Sequence, residues 1–148
     1  MSVSVLPVFK KIPTRVIWFG EGILVPTEEG RMLKRVSIET DYKVAAGNVA
    51  LTVVIGDAQM GASIAKLDDR DLGPPGAIEN LVVGKGASIK GKTLSVKSVV
   101  TDVNDMTNHT SISYELKGGA APQTFRAEAD VEHEGDSVIY RARINLVQ

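Results

Sequence analysis

Thr124-Phe125-Arg126-Ala127-Glu128-Ala129-Asp130-Val131 alternates strictly between polar and apolar side chains. After a polar break of six residues, Val138-Ile139-Tyr140-Arg141-Ala142-Arg143-Ile144-Asn145-Leu146 alternates too, with Ile139 the exception. A period of two is the mark of a strand with one buried and one wet face. The apolar set is Phe125, Ala127, Ala129 and Val131 in the first run, and Val138, Tyr140, Ala142, Ile144 and Leu146 in the second. Gly135-Asp136 stands between them, a dipeptide favoured in two-residue hairpin loops. A hairpin closed there pairs Asp130 with Arg141 and Glu128 with Arg143. Its other face matches Val131 with Tyr140, Ala129 with Ala142 and Phe125 with Leu146. Sliding by two residues sets Arg126 against Arg143, and sliding by one inverts every side chain, so the charges and the apolar face favour this register.

Working back, Thr110–Leu116 buries Ile112, Tyr114 and Leu116 and exposes Ser111, Ser113 and Glu115. The stretch Lys117–Gln123 turns the chain. Leu94, Val96, Ser98 and Val100 alternate with Ser95, Lys97, Val99 and Thr101, and both sides become apolar at Val99. That predicts double burial or a bulge there. Four successive runs of this kind predict a meander or half a Greek key.

The amino-terminal half continues the pattern. Val3–Phe9 is a short run broken by Pro7, which lacks a backbone donor and belongs at a sheet edge. Thr14–Val25 is a long strand with Gly20 and Gly22 inside it, where glycine marks a bend or bulge. Pro26–Gly30 is a turn, and Met32–Asp41 alternates Val36, Ile38 and Thr40 with Arg35, Ser37 and Glu39. Val49–Ile55 is nearly all apolar, as in a central strand. The rhythm then stops between Asp57 and Gly76. Met60, Ile64 and Leu67 fall at helical spacing, and Gly73-Pro74-Pro75-Gly76 is loop. Leu81–Val83 is a short strand.

Composition sets the outer bounds. The 148 residues carry a formal net charge of −1, 43% hydrophobic and 24% charged side chains, and no cysteine. This fits one domain, residues 1–148, with a full core. A near-neutral charge favours neither nucleic acid nor an acidic membrane surface. Without thiols there are no disulfides, and a cytoplasmic location is expected. No signal peptide is apparent at Met1–Pro7, and no window is long and apolar enough for a membrane span.

Several motifs approach known chemistry. Gly86-Ala87-Ser88-Ile89-Lys90-Gly91-Lys92-Thr93 fits the phosphate-binding pattern G-x-x-x-x-G-K-[ST]. That pattern needs a following helix, yet Leu94–Val100 is β-branched and alternating, so a Gly/Lys hairpin loop is the favoured reading. Lys85, Lys90, Lys92 and Lys97 describe a guarded sheet edge better than a nucleic-acid surface, because few aromatics interleave with them. Asp102–Asn108 lacks the glycine a calcium loop requires at its sixth position. His109 and His133 have no second histidine or cysteine at ligand spacing, so no metal and no cofactor is expected. Gly61-Ala62-Ser63-Ile64-Ala65 falls short of a nucleophile elbow.

Two places remain. One is the loop carrying Asp68, Asp69, Arg70 and Asp71, a ligand or partner site by its position in the longest break. The other is a depression lined by the small side chains Ala127, Ala129 and Ala142, filled by Trp18 or Phe19 or else open to a ligand. The expected fold is an all-β, single-domain antiparallel sandwich of eight or nine strands, Ig-like or jelly-roll, with a closed barrel as the alternative. The expected function is a non-enzymatic interaction module with a protein partner, engaged by an edge strand or the acidic loop. A small-ligand barrel comes second, and an enzyme with a loop-built polar site third.

Overall fold

The computed structural model describes residues 3–4, 16–26 and 32–148, with side chains described from residue 33 onward. Two open β-sheets enclose one apolar core. The described residues form eleven strands, nine of them five residues or longer. In order they are β1 (Val3–Ser4), β2 (Val16–Pro26), β3 (Met32–Lys43), β4 (Asn48–Ile55), β5 (Met60–Leu67), β6 (Arg70–Asp71), β7 (Leu81–Lys85), β8 (Thr93–Thr101), β9 (His109–Lys117), β10 (Gln123–Asp130) and β11 (Ser137–Val147). A single helical turn, α1 (Gly86–Ile89), joins β7 to β8. The five-stranded sheet runs β1-β10-β9-β4-β7 and the six-stranded sheet β2-β3-β11-β8-β5-β6. Neither closes into a barrel: β1 and β7 edge one sheet, β2 and β6 the other.

The alternation that predicted strands holds through the carboxy-terminal third. Phe125, Ala127 and Ala129 are buried, as are Val138, Tyr140, Ala142, Ile144 and Leu146. The hairpin between them does not form. β10 pairs with β9 and β1, whereas β11 pairs with β3 and β8 in the opposite sheet. The expected register is therefore overturned: Asp130 lies opposite His109, Glu128 opposite Ser111, and Arg141 opposite Lys97. Residues 131–136 form an arch over the end of the sandwich. Asp136 N donates to the His133 carbonyl, and the Asp136 carboxylate accepts from His133 N. Gly135 takes φ 90°, which favours glycine, and its amide donates to Asp102 of the neighbouring arch. The two apolar faces meet across the core instead of side by side.

The same principle governs most connections. After each of β3, β4, β6, β7, β8 and β10 the chain crosses to the other sheet. The predicted meander is thus replaced by strands dealt alternately to two layers. β11 lies parallel to β3, an exception to the expected antiparallel pairing. Only β2–β3, β5–β6 and β9–β10 are consecutive antiparallel neighbours.

Other expectations are corrected locally. Met60–Leu67 is strand β5, not helix, because its residues take a period of two against β8. β8 keeps an unbroken register with both neighbours, so there is no bulge at Val99, which is partly exposed on the outer face. In β2, three residues containing Gly20 and Gly22 stand opposite Val36 of β3, the predicted bulge. The run from Val5 through Pro7 to Phe9, and the turn at residues 27–31, lie outside the described residues.

Candidate functional site

Parity along the strands decides what faces outward. In β3 the even residues Val36, Ile38, Thr40 and Tyr42 are buried, leaving Arg35, Ser37 and Glu39 on the outer face. In β11 the outer set is Ile139, Arg141 and Arg143; in β8 it is Ser95, Lys97 and Val99. Because β11 is inserted between β3 and β8, these residues fall into rows. Arg143 lies between Glu39 and Ser95, with Lys66 of β5 beyond. Arg141 lies between Ser37 and Lys97, with Ile64 beyond.

These rows line an open groove of about 590 Å³ on the outer face of the six-stranded sheet. Its floor runs past Ile38, Val96 and Ala142, whose side chains are buried toward the core. Four cations surround it: Lys66, Lys97, Arg141 and Arg143. Glu39 is the one carboxylate on its wall. Lys66 is engaged by Asp71 at 3.7 Å. Among the described residues, Lys97, Arg141 and Arg143 have no carboxylate within 4.0 Å. Unpaired cations held side by side on a rigid sheet create a local positive potential, despite the chain's overall charge of −1.

The two places singled out by sequence fare differently. Asp68 and Asp69 form the tight turn between β5 and β6, with Asp68 at φ 51°. Asp68 Oδ1 accepts from Thr93 N at 2.9 Å, tying that turn to β8. Asp71 is spent on Lys66, and Arg70 lies with Asp68, Asp69 and Lys92 along a second shallow depression. The stretch expected to be the longest break is thus largely strand. Ala127, Ala129 and Ala142 are all buried in the one core cluster, which also holds the fully buried Tyr42, Tyr114, Tyr140 and Phe125. Trp18 lies in β2 opposite Ile38, and its side chain is outside the description.

The phosphate-loop pattern is accounted for by packing. A Cβ on Gly86 would sit 1.6 Å from the Ala45 carbonyl oxygen, so only glycine fits. Five of the segment's amides already have partners. Gly86 N donates to Gly47, Lys90 N to Gly86, Gly91 N to Leu146, Lys92 N to Ile89 and Thr93 N to Asp68. The segment is also no hairpin loop, since β7 and β8 belong to different sheets.

A second polar cluster, unforeseen from sequence, sits at the end of the five-stranded sheet. His109 Nδ1 lies 2.6 Å from Asp130 Oδ1. Its Nε2 faces Glu128 Oε2 at 3.7 Å and Asp57 Oδ2 at 3.9 Å. Partial burial lowers the imidazole's pKa, but the Asp130 bond and the charges of Asp130, Asp57 and Glu128 outweigh it, and the net shift is upward from 6.5. Ser111 Oγ donates to Asp57 Oδ2 at 2.7 Å. Carboxylates facing both nitrogens favour the imidazolium form, and the nearby hydroxyl is committed to an acid. That arrangement stabilises charge and does not resemble an activated nucleophile. Among the described residues, no group of three or more histidine or acidic side chains closes into a metal site. No helix there is long and apolar enough to cross a membrane.

No family model, curated protein or solved structure matches the chain. The arginines on β11 were visible as an exposed i, i+2 pair, but sequence reasoning matched them to Asp130 and Glu128. The signal that could have freed them is Lys97, which carries the same parity on β8.

Proposed function

We propose that this protein is a non-enzymatic interaction module and that its partner seats in the groove on the outer face of the six-stranded sheet. The observation that carries the reading is the set Lys97, Arg141 and Arg143, aligned by strand register and unpaired among the described residues. Exposed cations on a folded domain ordinarily pair or scatter. Here they converge on one concavity of a size that specific binding sites occupy.

Strand addition at the β6 or β7 edge is the less favoured route. β7 is five residues long, carries Lys85, and its pairing with β4 is broken by a register shift between Val49 and Ala50. β6 has two residues. Short, bulged and charged edges resist pairing with another chain. A cytoplasmic setting belongs to the same proposal, in keeping with a cysteine-free sequence.

The test is affinity capture from the native source with three baits: the wild-type chain, Lys97→Glu/Arg141→Glu, and the edge variant Val82→Lys. The proposal expects a partner retained by wild type and Val82→Lys and lost by the groove variant. Loss with Val82→Lys alone would move the contact to the sheet edge and overturn the assignment.

A further inference from the structure

We propose that the groove's occupant is an acidic, extended segment of a partner polypeptide, a step that rests on the interaction-module reading. Charge complementarity argues for an anionic partner: three cations unpaired among the described residues face one carboxylate, Glu39. The spacing argues for a peptide. Arg141 and Arg143 are two residues apart on one strand, so their side chains repeat at about 7 Å, the interval between same-side residues of an extended chain. Lys97 stands beside Arg141 on β8, so a carboxylate of a segment running along β11 faces both cations. Its lining is mixed. Ile64 offers apolar contact, and Ser37 and Ser95 offer hydroxyls beside the cations.

The same lining argues against a nucleic acid. Single strands are held by aromatic stacking platforms as well as by charge. The described tyrosines at 42, 114 and 140, and Phe125, are all buried in the core. Glu39 on the groove wall and the net charge of −1 oppose any anion, and they oppose a dense polyphosphate more than a segment with carboxylates on alternate residues only.

The experiment titrates isotope-labelled full-length protein with a synthetic octapeptide of alternating glutamate and leucine. Its glutamine counterpart, a short single-stranded DNA and inorganic phosphate serve as comparisons. Backbone amide shifts locate binding. The expected result is perturbation at Ser37, Lys97, Arg141 and Arg143 by the glutamate peptide alone. Its affinity should fall about tenfold or more in Lys97→Gln/Arg141→Gln/Arg143→Gln, and fall as salt is raised. Arg141→Lys/Arg143→Lys, which keeps the charges, should retain most of the binding. These positions lie on the outer face, and the variant's undisturbed core amides report that it is folded. Equal binding of the glutamine peptide, shifts away from the groove, or tighter binding of DNA or phosphate would each overturn the proposal. If the peptide fails while capture of a native partner still depends on the groove, the acidic class falls and the module reading stands.

Discussion

His109 concentrates more charge around one side chain than any other described residue. Asp130 and Glu128 reach it from β10 and Asp57 from the β4–β5 turn, and Arg126 bridges Glu128 at 3.3 Å. Lys34 of β3 donates from Nζ to the Asp130 carbonyl oxygen beside them. Because the folded imidazole's pKa is raised, its contribution to stability is full below about pH 6.5 and is lost as pH rises through the folded value. The difference in melting temperature between wild type and His109→Gln should therefore shrink from pH 6 to pH 8.5. A difference that is constant or grows would show that the ring is not held as a cation. Asp102 makes the opposite case. It is fully buried, and neither carboxylate oxygen has a hydrogen-bond partner among the described residues. Burying such a group costs roughly 1–3 kcal/mol. Asp102→Asn should be neutral to stabilising in a denaturant titration, and a loss above about 1 kcal/mol would mean the carboxylate holds the arch in place. Both residues were plain in the sequence, but their neighbours come from other strands and loops well separated along the chain, and periodicity carries no such information.

Element-scale behaviour follows from strands that face each other across a core. Tyr140 of β11 reaches through the core to β9, where its hydroxyl lies 2.6 Å from Thr110 Oγ1, which itself donates to the Ala129 carbonyl. Burial pushes the phenol's pKa well above its ordinary 10, so it stays protonated across the working range. Tyr140→Phe should cost about 1 kcal/mol with an unchanged denaturant slope, since Thr110 keeps its second partner. No loss would mean the two sheets are not pinned there. Strand identity was legible for nearly every element because alternation is a local property. Pairing was not. Gly135-Asp136 is compatible with a hairpin, but here its glycine closes a four-residue turn inside a longer arch. Asp130 and Glu128 offered plausible partners for Arg141 and Arg143, so charge matching reinforced the wrong neighbour. In the fold β11, with Val138, Tyr140, Ala142, Ile144 and Leu146 all buried, has a neighbour on each side in the six-stranded sheet.

At the scale of the molecule, the recognition surface is a consequence of topology. Had β10 and β11 formed a hairpin, Arg141 and Arg143 would be neutralised on a wet face by Asp130 and Glu128. Inserting β11 between β3 and β8 sends the acids to one sheet, where His109 and Arg126 take them up, and leaves the arginines beside Lys97 on the other. The fold class was therefore readable from sequence, while the site was not, because the site is made of which strands are neighbours. The most direct check is the pattern of interstrand nuclear Overhauser effects along β11. Arg141 should show backbone contacts to Lys97 on one side, in antiparallel register, and to Ser37 on the other, in parallel register. Contacts from Arg141 to Asp130 in their place would restore the hairpin and remove the groove.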